Sequence, residues 1–166
     1  MFEIRRRSLR ELAQQKPTYL FSTIIAAMGY AKSVGKEPGD FVRFFMERQR
    51  GWERLRGDIE GVFQTFVANF QQHTPMVDDE FKVIVHEHGV SLVTPPIDEL
   101  FAEEVALWGL TPEEVRRGWS ASAPVISRYT GFHIVYDVFD GKHWIHILKP
   151  RARSEGEEAS PVGGAL

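Results

Sequence analysis

The sequence predicts an α+β domain: N-terminal helices, then hairpin, two helices and hairpin, with the two hairpins forming one four-stranded antiparallel sheet packed by helices. Three observations predict it. Residues 131–150 are two apolar runs joined by Asp140-Gly141, and Asp-Gly supplies the two positive φ angles that a tight type I′ turn needs. Residues 81–94 are a second pair of β-rich runs, of matched length, around His88-Gly89. Upstream, apolar side chains recur at steps of three and four, the period of a helix face. Two hairpins of equal length fit most economically into one sheet, with helices on its apolar side.

Taken in order, Glu3 to Gln15 reads as a short basic helix that Pro17 ends. Thr18 caps a second helix from Tyr19 to Val34, apolar nearly all round and so expected at the centre of the helical layer. Gly35 stops it. Asp40 is a good N-cap for the next segment. Its stripe, from Phe41 and Phe45 through Trp52, Leu55, Ile59 and Val62 to Phe66, reads as two helices or one kinked helix ending near His73. Gly57 and Gly61, four apart, suggest a close approach of another element. Arg48 falls in this stripe, either snorkelling at a helix end or buried as a cation awaiting an anion.

In the first hairpin a two-residue turn puts Phe81, Val83, Val85, Val90 and Leu92 on one apolar face, and Lys82, Ile84, His86, Ser91 and Val93 on the other. Pro95-Pro96 opens a helix from Ile97 to Trp108, stopped by Gly109-Leu110. Thr111-Pro112-Glu113-Glu114 starts another, with Thr at N-cap, Pro at N1 and Glu at N3, running to about Ser122. Pro124 begins a further turn or kinks that helix. The Asp140-Gly141 turn fixes the last register, with Phe139 opposite Lys142, Asp137 opposite Trp144 and Ile134 opposite Ile147. Phe132, Ile134, Tyr136, Val138, His143, Ile145 and Ile147 then share the core face. His133, Val135, Asp137, Phe139, Lys142, Trp144, His146 and Leu148 share the other, a mixed face suited to an edge surface or a pocket wall. Residues 1–150 read as a single domain, helical to 74 and α+β from 75. Residues 151–166 are small, charged and Gly-rich, and read as a disordered tail.

Composition narrows the function. At 166 residues and 43% hydrophobic, the chain has the makeup of a soluble globular protein. It has no cysteine, which excludes disulfides, a thiol nucleophile and thiolate metal sites, and suits a reducing, cytoplasmic setting. No apolar signal core follows the basic N-terminus, so no signal peptide is expected. The longest apolar stretch, Tyr19 to Ala31, is too short to span a bilayer, so no membrane association is expected. Charge is split between the halves. Residues 1–56 hold twelve Lys/Arg and six Asp/Glu, residues 57–166 eight and seventeen. With no zinc finger, RNP-like strand or phosphate loop, nucleic acid is not an expected partner. The opposed halves instead suit self-association as a homodimer.

The histidines invite a metal reading. His86 and His88 have the H-x-H spacing, but the chain turns at Gly89, with no further ligand at cupin spacing. A site across the hairpins, from His86 with His133, His146 and Asp137, is geometrically open; the expectation is no metal and no cofactor. Ser120, Ser122 and Ser127 lie in no G-x-S-x-G. Asp137 and His146, diagonal neighbours beside Trp144, could form a general base and its orienter. Glu103-Glu104 and Glu113-Glu114 are adjacent on helices and point different ways.

The layout VSLVTPPIDELF followed by FHIVYDVFDGKHWIHI resembles, over Phe81 to Leu148, the aminothiazoline-carboxylate hydrolase-like family and the vinyl-reductase-type sensor domain. In both, a hairpin leads through prolines into a helical pair, a long strand, an acidic-glycine turn and a closing strand. The likeness is topological. Both families usually carry cysteines that this chain lacks, so no catalytic residue carries over. The resemblance implies a pocket between helices and sheet for a small, partly apolar molecule.

The leading expectation is a small-molecule binding or sensor-type domain. It would hold an apolar or aromatic carboxylate among Phe41, Phe45, Trp52, Trp119, Tyr136 and Trp144, with Arg48 or Arg128 meeting the anion and His146 setting orientation. The alternatives are a hydrolase-like enzyme using His146 and Asp137, and a structural self-association module.

Overall fold

The computed structural model describes residues 9–49, 51–73 and 81–150. The predicted helix start at Glu3 and the predicted tail lie outside the described residues. The α+β class holds: helices pack on one four-stranded antiparallel sheet.

The helical layer begins with α1 (Leu9–Ser33). It is one helix where the sequence predicted two. Pro17 lacks an N–H and so costs the helix one backbone bond, but good helix formers on either side carry the helix through it. Phe21, Ile25 and Met28 of α1 are fully buried, while Tyr30 and Val34 near its end are exposed. Next come α2 (Pro38–Arg48), a 3₁₀ turn (Trp52–Leu55) and α3 (Ile59–His73). Glu37, not Asp40, is the α2 N-cap, because Pro38 takes the first helical position. Asp40 falls in the first turn and pairs with Arg43. Asp58 caps α3 by accepting from the Gly61 amide at 2.9 Å. A Cβ at Gly61 would sit 2.4 Å from Asp58 Oδ2, so that glycine makes room for a cap and not for a neighbouring element.

The predicted helix from Ile97 is two short ones, α4 (Ile97–Leu100) and α5 (Ala102–Leu107), broken at Phe101 with φ −122° and ψ 30°. The break lets the Phe101 ring stack on Phe21, centroids 4.1 Å apart. Gly109 then ends α5 at φ +67°, with Gly109 N–H bonding to Ala106 and Leu110 N–H to Val105, the paired bonds of a Schellman motif. The predicted start of α6 (Pro112–Ser120) is a complete capping box between Thr111 and Glu114. Pro124 opens α7 (Ala123–Thr130).

The strands are β1 (Lys82–His86), β2 (Gly89–Thr94), β3 (His133–Phe139) and β4 (Lys142–Leu148), in the order β1-β2-β4-β3. The β3–β4 register is the predicted one, from Phe139 opposite Lys142 to Ile134 opposite Ile147, and Asp140 and Gly141 take φ +53° and +64°. The β1–β2 turn is Glu87-His88, pairing Val85 with Val90. At Gly89 a Cβ would fall 2.1 Å from the Ile147 carbonyl oxygen, so the close approach of β2 to β4 needs a glycine there.

One core joins the layers. Leu92, Ile134, Ile145 and Ile147 of the sheet meet Ile25 of α1, Val62 of α3 and Ile126 of α7, each buried side chain contributing roughly 1.5–3 kcal/mol. Three residues expected on that face lie beyond it. Val83 is 48%, Val85 80% and Val138 48% exposed. Val83 and Val85 lie on the edge strand β1, and Val138 borders an open cavity, so correct register does not bring burial.

Candidate functional site

A cavity of about 610 Å³ lies between the helical layer and the core face of the sheet, within the range of about 300–1,000 Å³ usual for small-molecule sites. Its walls are mostly aromatic: Phe21 from α1, Phe41 and Phe45 from α2, Trp52 from the 3₁₀ turn, Phe66 and Phe70 from α3, Trp119 from α6 and Tyr136 and Trp144 from the last hairpin. The rings also hold one another, with Phe21 stacked on Trp119 at 5.8 Å and Trp52 against Phe66 at 5.2 Å.

Polar groups gather where α4, α6 and β4 meet. Thr94, the last residue of β2, pairs with His143 across the sheet. The chain then turns at Pro95-Pro96 into α4, which brings Asp98 back beside that histidine. His143 Nε2 lies 2.8 Å from Asp98 Oδ1. The two atoms form no well-aligned hydrogen bond, and neither has another partner, so this is a close polar contact between a buried carboxylate oxygen and a ring nitrogen. Arg116 of α6 grips the other oxygen of Asp98 through Nη1, while its Nη2 reaches Glu113 at 3.1 Å. Asp98 is 1% exposed; Arg116, Glu113 and His143 in front of it line the cavity. Burial alone would raise the Asp98 pKa. The His143 contact, with help from Asp98's own amide and from Arg116, outweighs it and holds the carboxyl below its usual value. Asp98 is therefore ionised at neutral pH.

Three more polar groups belong to the lining. Burial pushes the Tyr136 phenol up to about 12, so it stays neutral. Ser122 Oγ lies 2.7 Å from the Trp119 carbonyl and 3.1 Å from Tyr136 Oη. A carbonyl can only accept, so Ser122 spends its one proton there and the phenol donates. Trp119 Nε1 is buried without a hydrogen-bond partner.

No protein-family model, curated protein or solved structure matches the chain. What the cavity can do is read from its own residues.

The six aromatic residues singled out in the sequence all border this cavity, Trp144 with its ring on the His146 face of the sheet, and Asp137 borders it too, but Arg48, Arg128 and His146 do not. Arg48 is exposed at the end of α2, its guanidinium 3.6 Å over the Phe44 ring, as for a side chain snorkelling at a helix end, and it is not a buried cation awaiting an anion. Arg128 is exposed and faces Glu47 at 3.6 Å. His146 lies on the opposite face of the sheet, stacked on Trp144 at 5.8 Å. Asp137 lines the cavity but accepts from the Val138 amide, and His146 Nδ1 contacts Ser91 Oγ at 2.8 Å instead. His86 Nε2 reaches the same Oγ at 3.1 Å. Burial lowers the His146 pKa and His86 adds to this, against the pull of Asp137. Ser91 sits in a central strand with both neighbours paired, which leaves no sharp turn with free backbone donors beside it. No group of three His, Asp or Glu among the described residues could hold a metal, which sets aside a site built from His86, His133, His146 and Asp137. No helix among the described residues is long and apolar enough to cross a membrane.

Sequence reasoning missed Asp98, Arg116 and Glu113. It did put His143 on the core face. An imidazole among isoleucines needs a buried partner, and that was the available signal.

Proposed function

We propose that the chain binds a small aromatic carboxylate in this cavity. The observation that carries the reading is Trp119: its indole N–H is buried without a partner, and the residue lines a cavity walled by aromatic rings. A buried donor left unmade costs about 1–3 kcal/mol, a cost that a ligand oxygen would remove. The rings supply faces for stacking on a flat ligand. Arg117, 66% exposed and 3.9 Å from Glu113, is the cation in the lining with charge to spare, in place of Arg48 or Arg128. The resemblance over residues 81–148 implies the same kind of pocket.

The test is native mass spectrometry of the purified protein against the same sample denatured, followed by titration with benzoate and 1-naphthoate. A retained small mass released on unfolding, or saturable quenching of tryptophan fluorescence that Trp119→Phe weakens several-fold, supports the reading. A clean apo spectrum with no response to either acid counts against it.

A further inference from the structure

We propose that the same cavity is a general acid–base site, in which His143 activates water against small aryl esters. This rests on the binding reading, since the aromatic carboxylate becomes the product. The geometry is that of a base with its orienter. Asp98 is 1% exposed and fixed from the far side by Arg116. Its Oδ1 meets His143 Nε2 at 2.8 Å, which favours the tautomer protonated on Nε2. Nδ1 then carries the lone pair, the atom through which the ring would act as a base. The side chain is 14% exposed and lines the cavity. Apart from stability, a buried aspartate that fixes one ring nitrogen of a cavity histidine sets which proton that ring can take.

The step balances without a cofactor. Water oxygen bonds to the ester carbonyl carbon as its proton passes to Nδ1, and the carbonyl π electrons move onto oxygen. Trp119, whose buried Nε1–H has no partner, belongs to the same lining and is the candidate donor to that oxyanion. The carbonyl re-forms, the bond to the aryloxide breaks, and the proton on Nδ1 passes to the departing oxygen. Ester and water give carboxylic acid and phenol, and His143 returns to its starting state. The two serines of the lining spend their protons on carbonyls, Ser120 on Arg116 and Ser122 on Trp119, so the proposal is direct attack by water and not an acyl-enzyme.

The experiment follows hydrolysis of 4-nitrophenyl benzoate and of the less activated phenyl benzoate by the full chain. His143→Gln and Asp98→Asn are compared with His146→Gln, whose ring lies across the sheet. Benzoate binding and circular dichroism are measured on every sample. The expected result is saturable turnover of both esters by the parent and by His146→Gln. His143→Gln should lose roughly 10²-fold in kcat, the low end of general-base effects. Asp98 is a positioning residue, so Asp98→Asn should lower kcat with KM little changed, whereas a merely structural role would move KM with it. The parent should also slow about two-fold in D₂O, a readout that stands even if His143→Gln does not fold. Turnover surviving intact in folded His143→Gln would overturn the proposal. So would an absence of phenyl benzoate hydrolysis by a parent that binds benzoate, which leaves the binding reading standing. Loss of both activities in the parent would remove both.

Discussion

Replacing Asp98 by Ala should destabilise the protein by about 3 kcal/mol, since the hydrogen bond from Arg116 to this charged group is worth about 1.5–3 kcal/mol net and the close His143 contact is lost with it. The sum falls near the low end because Arg116 keeps Glu113 at 3.1 Å and is 31% exposed, so it can turn to water. His143 has less freedom, with only 14% of its side chain exposed. For a chain of this size each kcal/mol moves Tm by about 2–4 °C, giving a drop of roughly 6–12 °C. Asp98→Asn keeps the shape and should cost about half as much. The difference between parent and Asp98→Asn should also depend on pH. The folded carboxyl has its pKa lowered from 3.8, so its contribution is fully present above that value and is lost as pH falls through the lower folded value. Urea unfolding followed by circular dichroism at neutral pH and near pH 3 measures both effects. A loss under about 0.5 kcal/mol for Asp98→Ala, or an Asp98→Asn gap that widens on acidification, would refute the assignment of Asp98 as the ionised centre of the cluster.

Three further outcomes are expected. Gly89→Ala should cost about 3 kcal/mol or more, because its Cβ would meet the Ile147 carbonyl oxygen at 2.1 Å; thermal unfolding measures it, and a near-neutral result would place β2 farther from β4. Val85→Lys should change stability by no more than about 0.5 kcal/mol, since Val85 is 80% exposed on the edge strand; a loss of 2 kcal/mol or more in the same assay would mean that this face is covered. Thr111→Ala removes the capping-box acceptor for the Glu114 amide and should cost about 1 kcal/mol, read as a fall in the urea midpoint.

The local features of the fold were legible in the sequence because short-range chemistry decides them. Asp140-Gly141 admits one turn and hence one register, and Thr111-Pro112-Glu113-Glu114 admits one helix start. Two local signals misled, Pro17 as a helix end and Asp40 as an N-cap; the other failures depended on neighbours distant in the chain. The burial of Val83 and Val85 is settled by which hairpin strand pairs inward, and β2, not β1, pairs with β4. The break at Phe101 follows from where Phe21 offers it a stacking face. The site divided the same way. Aromatic spacing located the apolar wall, since those rings had to face inward. The acid–base pair was sought within one hairpin, at Asp137 and His146, where local geometry can be reasoned out. Asp98 reaches His143 only because β2 lies beside β4 and the chain turns at Pro95-Pro96, a long-range outcome that no local pattern encodes.

The central claim is that Trp119 lends its indole N–H to a ligand in the cavity. The chain has four tryptophans, so the ¹⁵N–¹H spectrum should carry four indole signals, assignable by single Trp→Phe replacements. Titration with 1-naphthoate should move the Trp119 signal downfield along a saturable curve and leave exposed Trp108 in place. A Trp119 signal that stays fixed across a series of aromatic carboxylates, or that moves only in step with Trp108, would contradict the account.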